Sequence, residues 1–209
     1  MTIDWKISTT PQDYLDAVQY MEDRVALIKD GQADEQVWLL EHPSLYTAGT
    51  SAKSSDLIDA KFPVFETGRG GQYTYHGEGQ RIAYVMLNLK QRQQVPDIKQ
   101  YVFNLEQWII NTLQVYDIKG KRIEGRVGIW VTSRSGAESK IAAIGVRVRH
   151  WITYHGISIN LNPELSHFKG IVPCGISDAG VTSFEKLGVE VTQEKFDKVF
   201  MQEFLNVFS

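Results

Sequence analysis

Apolar residues recur along the chain at two periods, and the alternation between them predicts its elements. Tyr14, Val18, Met21, Val25 and Ile28 return at steps of four and three, one face of an amphipathic helix. Thr9-Thr10-Pro11 predicts its start, because proline suits the first helical turn, and Gly31 predicts its end. Ile98, Tyr101, Val102, Leu105, Trp108, Ile109, Thr112 and Leu113 form a longer stripe, which predicts a helix over residues 97–114. A last helix is expected from about Thr192, burying Phe196, Val199, Phe200, Phe204, Val207 and Phe208, after a short helical turn near residues 183–187. Strands are predicted at residues 36–40, 63–67, 82–89, 128–131, 141–148 and 157–161. Residues 82–89 are apolar at both parities, the mark of a strand covered on both faces. In the strand at 141–148, Arg147 and Arg149 alternate with Val146 and Val148, giving one polar and one apolar face. The basic, turn-rich residues 119–126 read as a solvated hairpin, and His42-Pro43-Ser44 as a loop that ends a strand. There is no repeat and no linker. The expectation is one α+β domain over residues 1–209, a mixed β-sheet packed with helices.

Composition narrows the function classes. With 209 residues, 43% of them hydrophobic, the chain can fill a real core. A formal net charge of −3 gives no global field favouring nucleic acid or membrane surfaces. A single cysteine excludes an intramolecular disulfide and fits a reducing compartment. No apolar run is long enough to span a bilayer, and the first residues lack a signal-peptide pattern, so a cytoplasmic location is expected.

The chemistry-bearing residues gather in three stretches. Residues 69–80 hold four glycines, Arg69 and His76. Glycines that dense let a backbone turn sharply or approach a ligand. The spacing is not that of a phosphate-binding loop, and a strand follows rather than a helix. Cys174 stands between Pro173 and Gly175, a tight turn that can present a side chain. A lone cysteine can equally be an inert core residue; a reactive thiol needs a nearby base or cation. Lys140 opens the strand at 141–148 with the parity of Ala142, Ile144 and Val146, so it either snorkels out at a strand end or sits in a partly dry site. His42, His76, His150, His155 and His167 show no zinc-type spacing with one another or with the cysteine, and no metal is expected.

Together these stretches resemble the lipoyl(octanoyl) transferase family. Arg69–Gln80 fits the family loop Arg-Gly-Gly-x-x-Thr-aromatic-His-Gly-x-Gly-Gln. Lys140–Arg147, His155–Asn160 and Pro173–Ile176 with Thr182-Ser183 fit its later segments, and the His-Pro…Tyr-Thr-x-Gly run at 42–49 its early one. Glu78 departs from the pattern, since many members carry proline there.

The resemblance implies the fold of biotin and lipoate protein ligases and a transfer of octanoyl from octanoyl-acyl carrier protein to a lysine of a lipoyl domain. Acceptors would be lipoyl domains of 2-oxoacid dehydrogenase E2 subunits and the glycine-cleavage H protein. Cys174 would carry the acyl group as a thioester, and Lys140 would set its pKa and move protons. Arg69, Gly70, Gly71, Gln72, Tyr73, Thr74, Tyr75 and His76 would line the acyl site, with Ala143, Ile144 and Gly145 and with Gly156, Ile157 and Ser158. No cofactor is implied, and the chain is expected to act as a monomer. The basic residues Lys119, Lys121, Arg122 and Arg126, or Arg147 and Arg149, are candidates to steer an acidic carrier protein. An ATP-dependent lipoate–protein ligase of the same fold, and a non-catalytic binder of carrier or lipoyl domains, are the alternatives.

Overall fold

A computed structural model describes residues 3–133, 136–172 and 180–208. The strands are β1 (Asp4–Ile7), β2 (Gln36–Leu40), β3 (Leu45–Ala48), β4 (Val64–Glu66), β5 (Tyr73–His76) and β6 (Gln80–Met86), followed by β7 (Gly120–Ile123), β8 (Arg126–Thr132), β9 (Glu138–Arg149), β10 (Ile152–Asn160) and β11 (Gly180–Val181). The helices are α1 (Tyr14–Lys29), α2 (Leu89–Arg92), α3 (Ile98–Val115) and α4 (Gln193–Phe208). The main sheet runs β1-β2-β6-β10-β9-β8-β7, with β11 also paired to β9. It is antiparallel except for the parallel pairs β1–β2 and β11–β9. A smaller sheet, β4-β3-β5, stands apart from it.

The central strands β2 and β6 are buried along their whole length, because both faces of the sheet are covered. On one face α3 and α4 pack over Val37, Leu39, Val85, Ile157 and Ile159. Trp108 of α3 stacks on Phe200 of α4 with centroids 3.8 Å apart, and its indole N–H donates to the Phe200 carbonyl at 2.6 Å. On the other face α1 lays Ala17, Met21, Val25 and Ile28 on Trp38, Ile82, Tyr84 and Tyr154. The rest of that face meets the small sheet, whose core is Tyr46, Tyr73, Tyr75, Phe168 and Ile171.

Several boundaries differ from the sequence expectation. Helix α1 starts at Tyr14, not at Pro11, because the Asp13 carboxylate accepts from the N–H groups of Leu15 and Asp16 and a side-chain cap fixes a helix start more strongly than proline does. Strand β10 begins at Ile152 rather than 157. The turn before it is built from His150 and Trp151 in left-handed conformations, φ 56° and 66°, where glycine or asparagine would ordinarily announce a tight hairpin. Residues 69–80 are not one loop; they contain β5. The predicted hairpin at 119–126 is β7 turning into β8.

Candidate active site

The glycine-rich segment is folded by its own arginine. Arg69, 7% exposed, donates to the Thr47 carbonyl at 2.9 Å, to Thr47 Oγ1 at 2.6 Å, and to the carbonyls of Gln72 and Gly70 at 3.0 Å. A guanidinium has five N–H donors in a fixed fork, so it can fix several loop carbonyls at once. Gly71 at φ 92° supplies the turn that brings those carbonyls round. The Gly70 N–H donates to the Val146 carbonyl at 2.9 Å, which ties the loop to β9. At the far end Gly79 (φ 82°) donates its N–H to Glu41 Oε2 at 3.2 Å.

Between this segment and the main sheet lies a cleft. Arg69, Gly71, Gln72, Tyr73, Thr74 and His76 form one wall. Ala143, Ile144 and Gly145 of β9 and Gly156, Ile157 and Ser158 of β10 form the other. The strand register explains the second wall: Ala143 sits opposite Ser158, and Gly145 opposite Gly156. Two expected lining residues are elsewhere. Gly70 is engaged with β9, and Tyr75 turns away from the cleft, its hydroxyl 3.0 Å from Ser44 Oγ and 2.9 Å from His167 Nδ1. Tyr14, Ile82 and Tyr84, which the sequence reading missed, also line the cleft, as does His155. Apolar parity placed Ile82 and Tyr84 in a strand but said nothing of a cleft. His155, which precedes a glycine and was read as able either to hydrogen-bond a substrate or to be a satisfied polar residue, adopts φ 57° within β10, and its N–H reaches Met21 Sδ at 3.3 Å.

His76 and His42 are held in defined tautomers. Asn160 Nδ2 donates to the Thr182 carbonyl at 2.9 Å, so its Oδ1 accepts from Gln80 Nε2 at 2.9 Å. Gln80 Oε1 is then left to accept from His76 Nδ1 at 2.7 Å. The proton of His76 is therefore on Nδ1, and Nε2 keeps its lone pair. Burial, with smaller contributions from neighbouring His42, Arg69 and His155, pushes the imidazole down to about 3. His42, which the sequence reads as plain loop, is fully buried. Its Nδ1 lies 2.6 Å from the Gln12 carbonyl and must donate, so Nε2 accepts from the Tyr84 hydroxyl at 2.7 Å. Burial lowers His42 to about 4, and burial together with Arg69 and Arg147 lowers His155 to about 3. All three rings are neutral near pH 7.

Lys140 lies at one end of the cleft. It is 6% exposed, which removes the snorkelling alternative. Its parity also changes: the β8–β9 register shifts between Ile129 and Trp130, so Lys140 faces Trp130 while Ala142 faces Ile129. A bulge of this kind re-aims a side chain. The ammonium donates to the Val127 carbonyl at 2.9 Å and stands 4.8 Å from the Trp130 ring centroid. Gly128 at φ 109° lets β8 approach β9 here, since an added Cβ would meet the Ala142 carbonyl oxygen at 2.6 Å. Lys140 shares a small recess with Thr74, Gln80, Ala143, Ser158 and Asn160, three of which also line the cleft. Val181 of β11 pairs with Lys140, and the Thr182 N–H donates to the Lys140 carbonyl at 2.9 Å. Cys174 lies outside the described residues. Glu78 is exposed.

Among the described residues no three or more His, Cys, Asp and Glu side chains gather as a metal site, and no helix is long and apolar enough to cross a membrane. Of the two basic clusters, the first is largely occupied: Lys121 and Arg126 pair with Glu138 at 2.8 and 3.8 Å, and Arg122 with Glu106 at 3.0 Å. Arg147 reaches Glu22 at 3.8 Å, and Arg149 is exposed.

A sequence model of the lipoyl protein ligase A/B catalytic domain matches residues 13–205. An "Octanoyltransferase" of Paramagnetospirillum magneticum is 58% identical over 99% of this chain and 97% of its own length. Among solved structures, lipoate-protein ligase A bound with ATP superposes with a TM-score of 0.77 at 14% identity, covering 99% of this chain and 85% of that one. The biotin protein ligase from Aquifex aeolicus in complex with biotin and ATP superposes with a TM-score of 0.57 at 14% identity, covering 99% and 69%. Those likenesses establish the expected ligase fold. The match over most of the chain, with the full-length relative, establishes that the chain belongs to the lipoyl protein ligase A/B catalytic domain family.

Proposed function

We propose that the protein is an octanoyltransferase that acylates lipoyl domains in two covalent steps. In the first, the Cys174 thiolate attacks the thioester carbonyl of octanoyl-acyl carrier protein. A new S–C bond forms, the carrier's S–C bond breaks, and the carrier thiolate leaves and takes up a proton. In the second, the amine of a lipoyl-domain lysine attacks the Cys174 thioester. The amide bond forms, the amine gives up a proton, and the Cys174 thiolate is released. Splitting one acyl transfer into two steps is ordinary nucleophilic catalysis. Lys140 is the group that favours the thiolate and relays the protons.

The observation that carries this reading is the buried Lys140 in a recess that shares Thr74, Ala143 and Ser158 with a cleft of mainly apolar and small residues. The cleft suits an alkyl chain, and β11, which follows the cysteine segment in the chain, pairs with Lys140 itself. The name carried by the 58% identical relative agrees with it. The acceptors are lipoyl domains, those of 2-oxoacid dehydrogenase E2 subunits and of the glycine-cleavage H protein.

Intact-mass analysis tests the proposal. Incubation with octanoyl-acyl carrier protein adds one octanoyl mass that hydroxylamine removes, and addition of a lipoyl domain moves that mass to the domain without ATP. Cys174→Ala takes up no acyl group. A strict requirement for ATP and free acid would overturn the transferase reading in favour of a ligase.

A further inference from the structure

The strand register gives the cleft a direction. Asn160 pairs with Gln80 in the row beside Lys140, Ser158 with Ile82 and Ala143 in the next, and Gly156 with Tyr84 and Gly145 in the row beyond. At a rise of about 3.4 Å per residue, Tyr84 stands about 7 Å past the Ser158 row and about 14 Å past the Asn160 row. That far end is closed. The Gly70 N–H is bonded to the Val146 carbonyl, and Arg69 lies over Gly145 so closely that an added Cβ would meet its Cδ at 2.9 Å. Tyr14 and His155 also line the cleft. The Tyr84 ring cannot swing aside, because its hydroxyl is fastened to His42 Nε2 and His42 in turn to the Gln12 carbonyl.

Building on the octanoyl-transfer reading, we infer that Tyr84, buttressed by His42 and flanked by Tyr14, is the end-stop that sets the length of the acyl chain. The carbonyl end of the substrate sits beside Lys140 and its terminal methyl group meets the Tyr84 ring. A pocket discriminates by filling or refusing each methylene, and a single methylene changes the rate by roughly ten- to two-hundredfold. The fold therefore sets an upper limit on chain length with a ring on β6, remote from the reacting atoms.

The experiment is a competition among acyl-carrier-protein thioesters of six to fourteen carbons, with the chain transferred to a lipoyl domain read by mass. Wild-type protein favours octanoyl. Tyr84→Leu removes the ring and raises the decanoyl-to-octanoyl ratio by at least about tenfold. Tyr84→Phe keeps the ring but loses its bond to His42 Nε2, and so raises that ratio by less than Tyr84→Leu does. Tyr14→Leu, on a different element, extends the range in the same direction and keeps the test alive if Tyr84→Leu does not fold. Folded Tyr84→Leu or Tyr14→Leu protein with an unchanged length profile would overturn the end-stop. A wild-type protein that transfers no acyl chain of any length would instead overturn the transferase reading, so the two failures are distinct.

Discussion

The Lys140 ammonium donates to the Val127 carbonyl at 2.9 Å and rests 4.8 Å from the centre of the Trp130 ring. Both contacts hold the side chain in place: a carbonyl oxygen accepts from it, and an aromatic face attracts a cation. A cation held in this way favours a neighbouring thiolate. Lys140→Ala is expected to move the pH profile of Cys174 alkylation by iodoacetamide upward. Lys140→Arg keeps the charge and more of the thiolate, but cannot readily release a proton. Both variants should lose about 10²–10⁴-fold in transfer to the lipoyl-domain amine, the usual contribution of a positioned acid or base. Timing acyl loading and acyl transfer separately checks this. Unimpaired transfer by Lys140→Ala would take the lysine out of the mechanism.

The hydrogen-bond chain Thr182–Asn160–Gln80–His76 makes a second prediction. It ends by fixing the His76 proton on Nδ1. Gln80→Leu leaves a buried N–H and the Asn160 carbonyl without partners, which costs about 1–3 kcal/mol each. Urea unfolding should show that loss. The imidazole ¹⁵N shifts should show His76 leaving its single tautomer, and octanoyl transfer should fall. A wild-type ¹⁵N pattern in folded Gln80→Leu would mean that the ring is held by something other than Gln80.

A third prediction concerns the link between β6 and α4. Arg81, 1% exposed, binds Asp197 through two bonds of 2.8 and 2.6 Å. Desolvation outweighs the arginine's attraction and raises the Asp197 carboxyl above its usual range. Removing one partner strands a buried charge, so Arg81→Met alone should cost about 3–5 kcal/mol. The double variant Arg81→Met with Asp197→Leu should recover much of that loss, because apolar replacements of similar volume need no charge partner. Equal destabilisation in the single and double variants, measured by urea midpoints, would show that packing rather than charge dominates the site.

How much of this was legible in the sequence depends on which force fixed each part. Strand β2 was read to the residue, and α3 to within one residue at each end, because each has an unbroken apolar pattern that tertiary packing did not override. Strands β1, β3 and β5 were missed because four residues are too few to show a period, and their partners lie far away in the chain. The β10 start was hidden by a turn made of His150 and Trp151. Lys140 was singled out, yet its direction was misjudged, because parity arguments fail across a bulge. The cleft wall from residues 143–145 and 156–158 came through the family resemblance, not through any pattern in those apolar residues. His42 was dismissed as loop; nothing local announces that a histidine before proline will bond a tyrosine forty-two residues away.

The neutral histidines predict how stability follows pH. The folded values of His42, His76 and His155 lie at about 4, 3 and 3, all below the ordinary 6.5, chiefly through burial. In the unfolded chain the same rings take up protons as pH falls below about 6.5. Between that pH and about 4 the unfolded state therefore binds more protons than the folded one, and stability must fall as pH falls. The contribution is complete above pH 6.5 and is lost on the way down to the folded values. Urea midpoints measured from pH 7 to pH 4 should decline, with an excess uptake on unfolding approaching three protons near pH 5 from these rings, beyond whatever the carboxylates add. His42→Gln removes one titrating ring while an amide can still donate to the Gln12 carbonyl and accept from Tyr84. Its slope should be shallower by about one proton. An unchanged slope in a folded His42→Gln protein would mean that His42 takes up its proton alike in the folded and unfolded states.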